Sequence, residues 1–183
     1  MTEHYGFGCR VAAPMNETIE RTTAALKEQG FGVLTTIDVQ QTLKNKIGVD
    51  FQPYVILGAC NPNLAHRALQ AEKELGLLLP CNVIVYDNGD ATSTVSIVDP
   101  AQMMSVVENP ALAAVAEEAK ARLTRVVAAL EGAAVARGDR QLVLHAQTSA
   151  EGFYRTLGYE QRGDLFDEVG IAHIEMFTNL PRK

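Results

Sequence analysis

The chain has 183 residues, 47% of them hydrophobic and 21% charged, a formal net charge of −6 and a pI near 5.2. Such a composition describes an ordinary globular protein, long enough for one good core or for one domain with an annex. It argues against nucleic acid as a general partner, which needs concentrated basic surface, and no run of about 20 apolar residues offers a membrane span.

Met1-Thr2-Glu3-His4-Tyr5 has no basic stretch followed by an apolar one, so no secretory signal is expected. Cys9, Cys60 and Cys81 are an odd and sparse set, which fits a reduced, cytoplasmic protein.

Tyr5 to Val11 reads as a first strand. Pro14-Met15-Asn16 announces a helix with Asn16 as N-cap, with Ile19, Thr22, Thr23 and Leu26 on one face and a stop at Gly30. Phe31 to Ile37 is a second strand. Asp38 and Gln41 have capping-box spacing, predicting a short helix from Val39 to Ile47 that ends at Gly48. Tyr54-Val55-Ile56-Leu57 is a buried strand, and Asn61-Pro62 opens a helix carrying Leu64, Ala65, Ala68 and Leu69. Cys81 to Tyr86, the turn Asp87-Asn88-Gly89-Asp90 and the alternating Ala91 to Val98 make a hairpin.

Asn109-Pro110 opens the longest helix, with Leu112, Val115, Ala119, Leu123, Val126 and Leu130 in helical phase and an end at Gly132 or Gly138. Leu142 to Leu144 is a strand. Thr148 and Glu151 suggest a capped helix that stops at Gly158. Tyr159 to Phe166 and Ile171 to Phe177 form a last hairpin through Glu168-Val169-Gly170. The prediction is an α+β protein, with a compact antiparallel or mixed sheet and packed helices, followed by a β-α-β-β segment.

Gly30-Phe31-Gly32-Val33-Leu34, Ile56-Leu57-Gly58-Ala59-Cys60-Asn61-Pro62, Ala65-His66 and Leu77-Leu78-Leu79-Pro80-Cys81-Asn82-Val83 occur in order through the N-terminal region. This stretch, residues 1–131, resembles the family known as domain of unknown function 302 (DUF302). The resemblance implies a compact α+β domain that tends to pair as a homodimer, and it implies no established chemistry.

The residues themselves suggest a site. Cys60 ends a predicted strand one position before the N-cap Asn61, where the helix dipole and free amides would lower a thiol pKa and make Cys60 the most reactive thiol. His66 sits about one turn into that helix, and Cys81 is followed by Asn82 as Cys60 is by Asn61. Convergence of Cys60, Cys81 and His66 would make a small-ligand, soft-metal or thiol-redox site with the metal unknown. The alternative is that the cysteines fill the core and His66 is scaffold, since their separation is not a CxxC spacing. Cys9 reads as structural. Lys44 and Lys46 would draw an anion toward the same pocket, or are simply solvated.

Leu142-Val143-Leu144-His145-Ala146-Gln147, then Ala150-Glu151-Gly152-Phe153-Tyr154-Arg155-Thr156-Leu157-Gly158-Tyr159, resembles the C-terminal part of the GNAT acetyltransferase superfamily. Phe166 to Met176 is similar to its ElaA-like branch. The annex is expected over residues 132–183, fused to the first domain inside the long helix near Val127-Ala128-Ala129-Leu130. The resemblance implies a helix beside the coenzyme A arm and Tyr154 as the acid that protonates the leaving thiolate. The glycine-rich phosphate loop expected before the preceding helix has no match: Asn109-Pro110-Ala111-Leu112 stands there instead. Without that loop Tyr154 reads as a packing residue, and Asp167, Glu168 and His173 read as a solvated turn. Three functions follow: a homodimeric ligand, metal or thiol-redox domain with no identified cofactor; an acetyl-coenzyme A-dependent N-acetyltransferase; and a structural protein whose annex extends a dimer interface.

Overall fold

A computed structural model of the chain describes residues 5–137, 141–148, 151–156, 158–168 and 171–179. Five strands form one antiparallel sheet in the order β1-β5-β4-β3-β2, namely β1 (Gly6–Val11), β2 (Gly32–Asp38), β3 (Tyr54–Cys60), β4 (Cys81–Asp87) and β5 (Ser93–Val98). Around them run α1 (Met15–Glu28), α2 (Val39–Ile47), α3 (Pro62–Ala71) and α4 (Pro100–Ser105), with 3-10 turns at Lys73–Leu78 and Pro110–Leu112. The long helix α5 (Ala113–Arg137) leads to β6 (Gln141–Gln147), α6 (Glu151–Thr156), β7 (Glu160–Glu168) and β8 (Ile171–Asn179), where a second antiparallel sheet has the order β6-β8-β7.

The chain divides into two compact units, Tyr5–Leu130 and the segment from Glu131 onward, with the boundary inside α5. In the first unit the period-two pattern of the strands makes the core. Phe7, Cys9 and Val11 of β1, Val95 and Ile97 of β5, Val83 and Val85 of β4, and Val55 and Leu57 of β3 are buried on one face. Asn109-Pro110 opens the 3-10 turn and not the long helix itself, and the predicted stripe is buried from Leu112 of that turn through α5 to Leu130. In the second unit Tyr159, Ile174 and Met176 are buried. No described helix is long and apolar enough to cross a membrane.

Several elements differ from the sequence reading for local reasons. Helix α1 starts at Met15 behind Pro14, without a side-chain cap, so Asn16 is not its N-cap. Its buried face is Thr18, Thr22, Ala25 and Leu26, and Thr23 is exposed. Burial of the threonines is possible because each hydroxyl donates to a carbonyl, Thr18 to Ala13 at 3.2 Å and Thr22 to Thr18 at 2.7 Å. Strand β3 continues past Leu57 to Cys60. Helix α4 was not foreseen, although Asp99 before Pro100 is its signal: the Asp99 carboxylate accepts from Ala101 N at 2.8 Å. Gly132 lies inside α5 and does not end it, while Gly138 lies outside the described residues, as do Val169 and Gly170 of the last turn. Gly158 does terminate α6, at φ 85° with its amide donating to the Arg155 carbonyl.

Candidate functional site

The sequence around the β3–α3 junction builds a corner. Strand β3 delivers Cys60 to the end of the sheet, and the next residue, Asn61, leaves the strand to cap α3. The Asn61 Oδ1 accepts from Asn63 N and Leu64 N, both at 3.1 Å, and Pro62 occupies the first helical turn where no amide is needed. Asn61 is itself buried. Its amide also meets the stop of α1: a side chain at Gly30, which holds φ 80°, would place its Cβ 2.9 Å from Asn61 Nδ2. Glycine there satisfies both the left-handed backbone and the close approach.

Below this corner lies a cavity of about 20 Å³. Ala59, Cys60 and Asn61 form one wall, Leu64, Ala65 and Ala68 of α3 a second, and Val115 and Ala119 of α5 a third. Cys81 of β4 contributes to it as well. The volume is that of about one water-sized probe, and the walls are almost wholly apolar apart from two thiols and one carboxamide.

Cys60 and Cys81 reach this cavity because their strands are neighbours. Ala59 pairs with Cys81 and Gly58 with Asn82 in the β3–β4 ladder. Cys81 is 5% exposed and Cys60 is half-buried. The electrostatics are opposite to the sequence expectation. Burial raises the Cys60 thiol above its ordinary value, although it precedes a helix N-terminus. Burial, together with the neighbouring Cys60 thiol, pushes Cys81 up to about 11. Desolvation acts on both thiols, and two of the α3 amides nearest Cys60 are already engaged by the Asn61 cap.

The other expected residues lie elsewhere. His66 is on the exposed side of α3 and does not line the cavity, and Asn82 is exposed on β4. Among the described residues, no group of three or more His, Cys, Asp or Glu side chains is placed to hold a metal ion. Lys44 is exposed on α2, where it pairs with Asp50 at 2.6 Å, and Lys46 is exposed beside it. Cys9 is buried on β1.

In the second unit Tyr154 is half-buried, with its ring edge-on to Tyr159 at 5.6 Å and its carbonyl accepting the Tyr159 amide. The Tyr159 hydroxyl donates to the Glu131 carboxylate, and burial raises Glu131 above the usual carboxylate range against the pull of that bond. This pair was missed by sequence reasoning. The signal was available: Glu131 follows Val127 by four residues, in phase with the buried stripe of α5. His173 is not part of a solvated turn. It is buried on β8 and stacked on Phe166 at 5.9 Å, while Asp167 beside it is exposed. The side chain of Glu168 lies outside the described residues.

Comparison with known proteins divides the chain at nearly the same place. Residues 7–130 match the family model described as "Domain of unknown function DUF302", and residues 122–180 match "Acetyltransferase (GNAT) domain". A crystal structure of an uncharacterized conserved DUF302 protein from Bacillus stearothermophilus superposes with a TM-score of 0.65 at 35% identity, covering 70% of this chain and 99% of that one. The uncharacterized protein YyaT of Bacillus subtilis (strain 168) is 39% identical over 57 residues, which is 31% of this chain and 38% of the relative's length.

Proposed function

The chain belongs to the DUF302 family, and from that premise we propose that it is a homodimeric, cytoplasmic binding domain whose Cys60–Cys81 cavity takes a single thiophilic atom. The observation that carries this reading is that two thiols from adjacent strands line one apolar cavity with room for about one small atom. Two sulfur donors fall short of the four ligands of a structural zinc site. They suit a soft monovalent cation, which prefers thiolate and few ligands. Such a cation must displace protons held by both raised thiols, so binding strengthens as pH rises.

Silver(I) is a convenient probe of this class. Native mass spectrometry of the reduced chain should show one silver ion per chain, lost in Cys60→Ser and retained in Cys9→Ser. Absence of the adduct, or an adduct that survives in Cys60→Ser, would overturn the reading.

The match of residues 122–180 to an acetyltransferase model favours a second reading, N-acetyl transfer from acetyl-coenzyme A with Tyr154 as acid. Phosphate binding in such a site draws on amides at a helix N-terminus. Before α5 that position is taken by Asn109 and the 3-10 turn Pro110–Leu112, which belong to the first unit. Isothermal titration with acetyl-coenzyme A decides between the two: no micromolar binding is expected, and micromolar binding lost in Tyr154→Phe would install the second reading.

A further inference from the structure

We infer that residues 32–53, running from β2 through α2 to the loop before β3, form the face on which a second copy of this chain docks. The inference rests on the homodimer reading above and assigns its surface. β2 is an edge strand, so among the described residues one side of its backbone has no partner strand. From Gly32 to Pro53 no residue is buried, although the segment holds a complete strand and a complete helix. Leu34, Ile37, Ile47, Val49 and Phe51 are between 42% and 67% exposed.

Local order in this segment is well specified. The Asp38 carboxylate accepts from Gln41 N at 2.8 Å, and Gly48 closes α2 at φ 72°. A helix of nine residues has little stability of its own and usually draws it from packing an apolar face. Here the helix contacts β2 and β3, yet its least exposed residues, Val39 and Leu43, are only half-buried. Exposed apolar residues concentrated in one segment in this way are a mark of interaction surfaces.

Charge selects the occupant. The segment holds Asp38, Lys44, Lys46 and Asp50, two charges of each sign, so it is neutral on a chain of net charge −6. Two like-charged copies meet most favourably through neutral surface, and each copy's lysines can face the other's aspartates about a two-fold axis. A strongly acidic or basic partner would find no complementary field there. The extent also fits, since 22 residues is about the number that one side of a standard interface contributes, roughly 20–30.

The test is the mass of the full chain by light scattering across micromolar concentrations, for the wild type, for Leu34→Asp with Phe51→Asp, and for the control Leu77→Asp. Leu77 is 84% exposed and lies outside this face. None of the three positions is buried, so circular dichroism should show each variant folded. The wild type and the control should be dimers of the 19.8 kDa chain, and the paired variant a monomer with a dissociation constant raised at least about 100-fold. A folded paired variant that stays dimeric overturns the assignment of this face while leaving the homodimer intact. A monomeric wild type overturns both.

Discussion

Cys81 stands opposite Ala59 across the β3–β4 ladder, and both are buried on the covered side of the sheet. Cys60, one residue beyond Ala59, is half-buried at the strand's end. Exposure therefore separates two thiols that line the same cavity. In the reduced protein at neutral pH, Cys60 should be alkylated before Cys81, and both more slowly than a thiol in an unfolded peptide, because burial keeps both protonated. Quenched labelling with mass mapping reads the order. Cys60 reacting faster than the peptide thiol would mean that the helix N-terminus outweighs burial at this thiol.

The same burial has a thermodynamic consequence with a definite sign. Cys81 rises from 9.0 to about 11, so its protonated form is favoured in the folded state. The unfolded chain releases this proton first, and stability is lost as pH climbs from about 9 to about 11. The loss from this group is about 3 kcal/mol. Urea unfolding at several pH values, compared with Cys81→Ala, isolates it. The variant is less stable at pH 8, and the gap between the two proteins should narrow across that window. A gap independent of pH would refute the assignment.

Much of this arrangement was legible in the sequence because it is locally encoded. Asn61-Pro62 could only open a helix, and the Asp87-Asn88-Gly89-Asp90 turn fixed the β4–β5 hairpin that lies beside β3. What local signals do not encode is which face a side chain takes or what lies under it. His66 occupies a helix position as plausible as that of Leu64, yet Leu64 is buried and lines the cavity while His66 is exposed. For Cys60 the sequence shows the helix start and not the burial beside it, which raises the thiol above its ordinary value. Exposure of β2 and α2 was equally invisible, since Leu34, Ile37, Leu43 and Ile47 have the pattern of buried elements.

Asn61 makes the corner, and its removal should be costly. Asn61→Ala deletes the acceptor of two α3 amides and the carboxamide that approaches Gly30. The expected destabilisation is about 1–2 kcal/mol. Asn61→Ser keeps a capping oxygen and should recover most of it. Urea midpoints with an unchanged denaturant slope provide the measurement. Equal losses in the two variants would show that the carboxamide acts through packing and not through the cap.

Glu131 and Tyr159 supply a test confined to the second unit. Both belong to it, and the Tyr159 hydroxyl donates to a carboxylate whose burial raises its pKa. A carboxyl with a raised folded pKa stabilises only below its ordinary value of 4.5, and that contribution is lost as pH rises through the folded value. At neutral pH the ionised group therefore costs stability. Glu131→Gln keeps an acceptor for Tyr159 and removes the charge, so it should unfold at higher temperature than the wild type at pH 7. That advantage should close as pH falls below about 4.5, where Glu131 is itself neutral. Tyr159→Phe does the reverse, since it leaves the buried carboxylate without this donor, at a cost of about 1–3 kcal/mol at neutral pH. Thermal unfolding of the full chain, followed by the near-ultraviolet signal of its tyrosines, reports both. A Glu131→Gln protein less stable than the wild type at pH 7 would mean that the ionised pair holds this unit together and that desolvation is the smaller effect.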